Sequence, residues 1–272
     1  MAVEPEARID FTQLAMIKKA MALLGAVMAL TMFSGCLQVD SLITVKKDGS
    51  GTIQETISFG AQAYGMMKMS QAQEGAEDPL ADFDEESLKE QASKYGEGIE
   101  FVGVEKVEKD GGLVITATYK FDDITKVSYS PGTMMDTEEE LAVEEEDKAS
   151  FGFDDGVLTV TLPEPDSADL GFGDEEASDE EMAMMAPMLA GMKMTARIEA
   201  EGGIAETNAT YQDGDEVVLL SFIMDEILTN EGGISALKKI EGAEGREAIA
   251  KTVSEIKGLK METKEKVTIE IK

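Results

Sequence analysis

Apolar residues fall at every second position through LQVDSLITV, where Leu37, Val39, Ser41, Ile43 and Val45 alternate against Gln38, Asp40, Leu42 and Thr44. A period of two places one set on a single face of a strand. The next residues, Lys46 to Gly51 (KKDGSG), are rich in types that tolerate turn geometry. Thr52 to Phe59 alternates again through Ile53, Glu55, Ile57 and Phe59, so the three pieces predict a β-hairpin. Ala61 to Ser70, with Tyr64, Met66, Met67 and Met69, predicts a helix. Gln71 to Asp84 is acidic, contains Gly75 and Pro79, and reads as a loop. Asp84 is placed to cap a helix from Glu85 to Tyr95 that carries Leu88, Ala92 and Tyr95 on one face. Gly96 and Gly98 end it, and Ile99 to Glu108 with Leu113 to Phe121 predict a second hairpin.

The second part repeats this grammar. After a connection at 122–131 and an acidic run within 136–148, read as solvated loop or exposed helix, Phe151, Phe153, Leu158, Val160 and Leu162 predict a hairpin around Asp154-Asp155-Gly156. Asp166 to Glu181 is a second acidic linker, and Glu180 to Met192 is a Met-rich helical pattern interrupted by Pro187. Strands are expected over Met194–Ala200, Ile204–Gln212 and Glu216–Phe222. A helical turn at Asp225–Asn230 follows, then a helix over Ser235–Lys260 interrupted by Gly242 and Gly245. Lys264–Lys272 is expected as a closing strand at a sheet edge. The fold class is therefore α+β, antiparallel hairpins packed with helices, with a C-terminal helix and strand. Its organisation is 1–35 as start extension and leader, 36–131 as a first half and 132–149 as an acidic linker. Residues 150–272 form a second half, the two halves being related ββαββ-like units.

One stretch breaks the alternation. Lys18 and Lys19 precede Ala20 to Met32, which carries no charge, and Phe33-Ser34-Gly35-Cys36 follows. A positive start, a short apolar core and small residues before a cleavage point are the parts of an export signal. The apolar core is shorter than the roughly 20 residues a spanning helix needs. The acidic residues of 1–15 do not suit such a leader, and Met16 is the expected initiator. The stretch resembles a bacterial lipoprotein signal, whose lipobox ends small-Gly-Cys; Ser34, Gly35 and Cys36 match it, and Phe33 stands where Leu is commonest. The resemblance implies cleavage between Gly35 and Cys36, a diacylglyceryl group on the Cys36 thiol, and N-acylation of the new amine. By analogy with sorting in enteric bacteria, Leu37 rather than Asp after the anchor favours the outer membrane of a two-membrane cell.

Composition narrows the chemistry. The chain has 24 Lys and Arg against 56 Asp and Glu, a net charge of −32, and losing residues 1–35 removes three of each sign and leaves that balance. So acidic a surface repels nucleic-acid phosphates, and no nucleic-acid partner is expected. There is no His, no Trp and a single Cys. Triads that use His are excluded, zinc is poorly served, and no intramolecular disulfide can form. In KKDGSGTIQ a calcium loop would need acidic oxygens where Lys46 and Ile57 stand, so a hairpin turn explains it better. No metal and no dissociable cofactor is expected, and no catalytic residue is assigned. The methionines are the remaining candidates. Met66, Met67 and Met69, with Met184, Met185, Met188 and Met192, offer thioethers and adaptable apolar surface for a lipid or partner.

Beyond Cys36, the strand-turn ending in ITVKKDGSG and the strand after it resemble uncharacterised bacterial lipoproteins, including the LppM-type domain, over residues 36–60. SLKEQASKYGEGIEFVGVEKV and GGLVITATYKFDDITKV are similar in style. The resemblance implies an α+β domain linked to envelope lipids and carries over no functional residue except Cys36. The resulting expectation is an exported, lipid-anchored envelope protein that binds envelope protein or lipid, or has a structural role, without catalysis. The alternatives are a carrier of lipid or another apolar ligand in Met-lined helix–sheet grooves, and a hydrolase using paired carboxylates.

Overall fold

The computed structural model describes residues 37–71, 78–131, 133, 147–164, 189–230, 232–241, 243 and 245–272. Leu37–Val45 (β1) and Gly51–Phe59 (β2) form the first hairpin, pairing Leu37 with Phe59 and Val45 with Gly51. Its turn closes with Lys46 N–H donating to Ser50 O, and Gly49 supplies the positive φ. Asp48 accepts from the Ser50 hydroxyl and backbone N–H, which hold its carboxyl below the usual range. Those bonds make the motif a turn, as its residue types imply.

Helix α1 (Ala61–Gln71) follows, then α2 (Glu85–Gln91), whose cap Asp84 accepts from the Ser87 N–H at 2.8 Å. The 3₁₀ turn Ala92–Tyr95 continues α2 to Gly96, at φ +125°. The second hairpin is Glu100–Lys109 (β3) and Gly112–Phe121 (β4). Ser128–Tyr129 (β5), Ala149–Asp154 (β6) and Val157–Thr161 (β7) lead to a second sheet. Lys193–Ala200 (β8), Ile204–Thr207 (β9), Gln212–Asp213 (β10) and Glu216–Ile223 (β11) follow. Helices Met224–Thr229 (α3), Gly233–Glu241 (α4) and Arg246–Ser254 (α5), then Leu259–Met261 (β12) and Lys266–Ile271 (β13), complete the chain.

The class is α+β. The larger sheet has order β10-β11-β8-β1-β2-β4-β3, with β12 also on β11, and the smaller has order β5-β6-β7-β13-β9. Among the described residues every strand pairing is antiparallel except β1 with β8. Strands from both sides of the 132–149 linker thus share the larger sheet, and β5 joins the hairpin β6–β7 in the smaller. Ala149, the last residue of that range, belongs to β6.

Three expectations need correction. The closing strand β13 is not at an edge; it lies between β7 and β9, because Val267, Ile269 and Ile271 are all buried. Ile204–Gln212 is not one strand: Ile204–Thr207 joins the smaller sheet, while Gln212 and Asp213 pair with Val217 and Glu216 in the larger. Ser235–Lys260 is two helices and a strand. Gly245 at φ +81° separates α4 from α5, and Gly258 at φ +91° turns the chain into β12. A Cβ on Gly258 would lie 2.6 Å from the Glu226 Cβ, so only glycine fits there.

One buried cluster joins the two sheets. It takes Ile43, Val45, Ile53, Ile57, Ile115 and Tyr119 from the larger and Tyr129, Leu158, Val160, Val267 and Ile269 from the smaller. Each such aliphatic side chain contributes about 2 kcal/mol on burial. A second cluster gathers Phe222, Met224, Ile227, Leu237, Ile240, Ile249 and Val253 around α3–α5. Strand β8 serves both, since Ala196 and Ile198 belong to the first while Met194, opposite Phe222, packs on the second.

Candidate functional site

The residues expected to carry cleavage and lipidation, Gly35 and Cys36, lie outside the described residues, as do Met184, Met185 and Met188. The described part begins with Leu37, the residue after the expected anchor, already in β1. Leu37 pairs with Phe59, Phe59 with Leu113, and Leu113 with Glu108, so four neighbouring strands share one row at this end of the sheet. Helix α1 sits on this row. Tyr64 is buried, its hydroxyl donates to Glu108 Oε1 at 2.7 Å, and Lys68 Nζ donates to the same oxygen at 2.8 Å. The Lys68 ammonium also lies 4.1 Å from the centre of the Tyr64 ring.

The described methionines do not form one surface. Met67 packs on the core between the sheets. Met192 packs on the helical cluster with Leu189 and Met194. Met66 and Met69 point outward, 59% and 73% exposed. Helical geometry explains the split, since positions 66 and 69 are neighbours on one face while 67 follows Tyr64 by three.

The sequence reading missed a buried polar cluster at the centre of the larger sheet. Ser41 on β1 pairs with Glu55 on β2, and both point into the core. The Ser41 hydroxyl donates to Glu55 Oε2 at 2.6 Å. Glu55 Oε1 has no hydrogen-bond partner among the described residues, and Glu55 is 0% exposed. Burial, and secondarily the charge of Asp40, pushes its carboxyl up to about 8 against the pull of the Ser41 bond, so Glu55 is held largely neutral at pH 7. The phenols of Tyr119 and Tyr129 are buried with it, and burial together with the nearby Glu55 carboxyl raises both above the ordinary tyrosine value. Tyr119 packs against Tyr95 with ring centres 4.7 Å apart and ring planes tilted by 41°. The signal was present in the alternation, because Ser41 and Glu55 occupy the apolar parity of their strands. That parity predicts burial, yet it does not disclose that the two side chains meet.

The cluster is sealed: Ser41, Glu55, Tyr119 and Tyr129 are all buried, so no substrate in solution reaches them. Its chemistry is that of a neutral acid in a core, shaping stability and proton affinity. On the opposite face of the same strands, Arg197 on β8 reaches Asp40 Oδ2 at 2.7 Å and Glu216 Oε2 at 2.6 Å. The Thr195 hydroxyl also donates to Asp40, and that of Thr44 donates to Glu199 at 3.0 Å. Two further polar groups tie loops down. Buried Glu262 accepts from the Thr210 N–H and hydroxyl and from the Lys264 N–H. Arg246 donates to the carbonyls of Leu162, Pro163 and Thr263.

Asn208, in a glycosylation-like Asn-Ala-Thr triplet, is exposed and extends β9, accepting from the Thr268 N–H and donating to Lys266 O. Among the described residues no group of three or more His, Cys, Asp or Glu side chains is placed to share a metal ion. No described helix is long and apolar enough to cross a membrane.

No protein-family model and no curated protein matches the chain. Among solved structures, the folded domain of LppM from Mycobacterium tuberculosis, determined by NMR, aligns with a TM-score of 0.32 and 12% identity, covering 68% of this chain and 81% of that one.

Proposed function

We propose that this chain is an exported lipoprotein of a bacterial envelope, held to one leaflet by acyl chains on Cys36, with a non-catalytic binding or structural role. The observation that carries the reading is Ser34-Gly35-Cys36 directly after an uncharged stretch that begins behind Lys18 and Lys19. Two features support it. The lone Cys of the chain is the residue the signal requires, and β1 begins at Leu37, the next residue, so no tether separates the proposed anchor from the sheet. A single acyl chain holds a protein only marginally, whereas two or three on one residue hold it firmly. The outer membrane is the proposed destination, on the identity of Leu37.

The role is proposed as non-catalytic because the one strongly perturbed carboxyl among the described residues, Glu55, is closed to solvent. The carrier alternative gains no support from the methionines, since Met67 and Met192 are committed to two different cores. Intact mass and membrane partition of the mature protein, with wild type beside Cys36→Ala, test the proposal. The wild type is expected to begin at Cys36, carry acyl mass and sediment with membranes, and the variant to lose all three. An unmodified, freely soluble wild type overturns it.

A further inference from the structure

We propose that α1 is a membrane-contacting helix, with Met66 and Met69 seated in the interfacial region of the phospholipid bilayer that holds Cys36. The inference rests on the lipid-anchor reading for where the bilayer is, and adds which surface of the fold meets it.

The position follows from register. Leu37, Phe59, Leu113 and Glu108 are successive partners across four strands. Strands are spaced about 4.8 Å apart, so the row runs about 14 Å sideways from the residue beside Cys36. Helix α1 starts at Ala61, against the β3–β4 turn, where a Cβ on Gly111 would lie 3.3 Å from the Ala61 Cβ. One and two turns later, Tyr64 and Lys68 bond Glu108. At its far end the Gln71 amide bonds Asp78, whose carboxyl feels the charge of Lys106, two positions along β3. The helix, about 16 Å long, therefore keeps to the end of the sheet from which the chain leaves for Cys36.

The exposed face suits a lipid surface. Met66 and Met69 are side by side at a spacing of three, while Tyr64 and Met67 hold the other face to the core. Four large apolar residues are exposed among those described: Met66, Met69, Val102 and Val107. Val107 adjoins Glu108 on the anchor row, so three of the four lie at this end; Val102 follows Phe101, whose partner Tyr119 is far along β4. Charge agrees. In a chain of 56 acidic residues, none occurs between Glu55 and Glu74, and the charged residue of α1 is Lys68. Anionic headgroups repel this stretch less than the acidic run from Glu74 to Glu86 that follows it. Methionine is flexible and polarizable, suited to a fluid, irregular interface.

The chain contains no Trp, so one introduced Trp reports unambiguously. Met66→Trp, Met69→Trp and the control Val102→Trp are prepared as full acylated protein in phosphatidylcholine vesicles, with plain or brominated acyl chains. Emission from the two helix positions is expected to shift blue and to be quenched at least about twofold by bromine, and that from position 102 to stay water-like. Because Trp itself favours interfaces, the native methionines give a second readout. Peroxide oxidation of Met66 and Met69 in the wild type, followed by peptide mass, is expected to slow at least about fivefold on vesicles relative to the unanchored Cys36→Ala protein. If the protein floats with vesicles but the helix positions are unquenched and oxidise at the solution rate, this inference is overturned while the anchor stands. If the wild type does not float, the anchor reading fails and this inference falls with it.

Discussion

Asp40 and Ser41 are consecutive residues of β1, yet they belong to opposite electrostatic worlds. Asp40 faces outward, 39% exposed at its side chain, with Arg197 and Thr195 as partners. Ser41 faces inward and bonds Glu55, a carboxyl that among the described residues has no cation beside it and one oxygen without a hydrogen-bond partner. The outer group is a satisfied ion cluster in contact with water; the inner one is an acid driven neutral by burial. The contrast shows that chain-wide charge says little about a particular carboxylate. In a protein of net charge −32, burial holds Glu55 largely uncharged at neutral pH.

The strongest test of that contrast removes the inner acid. In the unfolded chain Glu55 titrates near 4.5, and in the fold near 8. Between those values the unfolded state has released a proton that the folded state keeps, so stability falls as pH rises from 4.5 to 8 and levels off above. Glu55→Gln keeps the shape and abolishes the titration. From paired urea melts at pH 5 and pH 8, the variant is expected to gain on the order of 3 kcal/mol relative to wild type between the two pH values. Other carboxylates ionise alike in both proteins and cancel. Equal pH slopes in the two proteins would mean Glu55 is ionised in the fold.

The outer cluster should respond more weakly and to salt instead. Burial opposes the Arg197 charge, but its bonds to Glu216 and Asp40 outweigh that and raise its affinity for the proton. Arg197→Met leaves two carboxylates near each other without their cation. Because Asp40 and Glu216 are 39% and 29% exposed, water screens much of the loss, and about 1 kcal/mol is expected. The loss should shrink in 1 M salt, where the Debye length is about 3 Å. A salt-independent loss would point to packing of the Arg197 stem instead.

Much of this architecture was legible because strands announce themselves by a period of two. Both first-half hairpins, the Asp84 cap and the 154–156 turn lie where the pattern puts them. What the pattern could not carry is pairing between distant segments. Nothing in LQVDSLITV says that its other neighbour is β8, more than 150 residues away, in a parallel register. The closing strand misled because Lys264, Lys266 and Lys272 suggested an edge, whereas the buried Val267, Ile269 and Ile271 gain from having a strand on each side. Composition also grouped the methionines, and helical phase divided Met67 from Met66 and Met69.

The smallest effect would reveal whether the two faces of β1 sense each other. Asp40 is the least of the three influences on Glu55, after burial and the Ser41 bond, and it acts to raise the Glu55 value. Asp40→Asn removes the charge and keeps the shape. The Glu55 titration midpoint, followed by carbon NMR on the resonance missing from the Glu55→Gln spectrum, should move down, by less than burial had moved it up. A lower midpoint narrows the interval over which folded and unfolded chains differ in bound protons, so the fall in stability toward pH 8 should ease in step. An unmoved midpoint would show that water on the outer face screens Asp40 completely, leaving burial and Ser41 alone to set the acidity of Glu55.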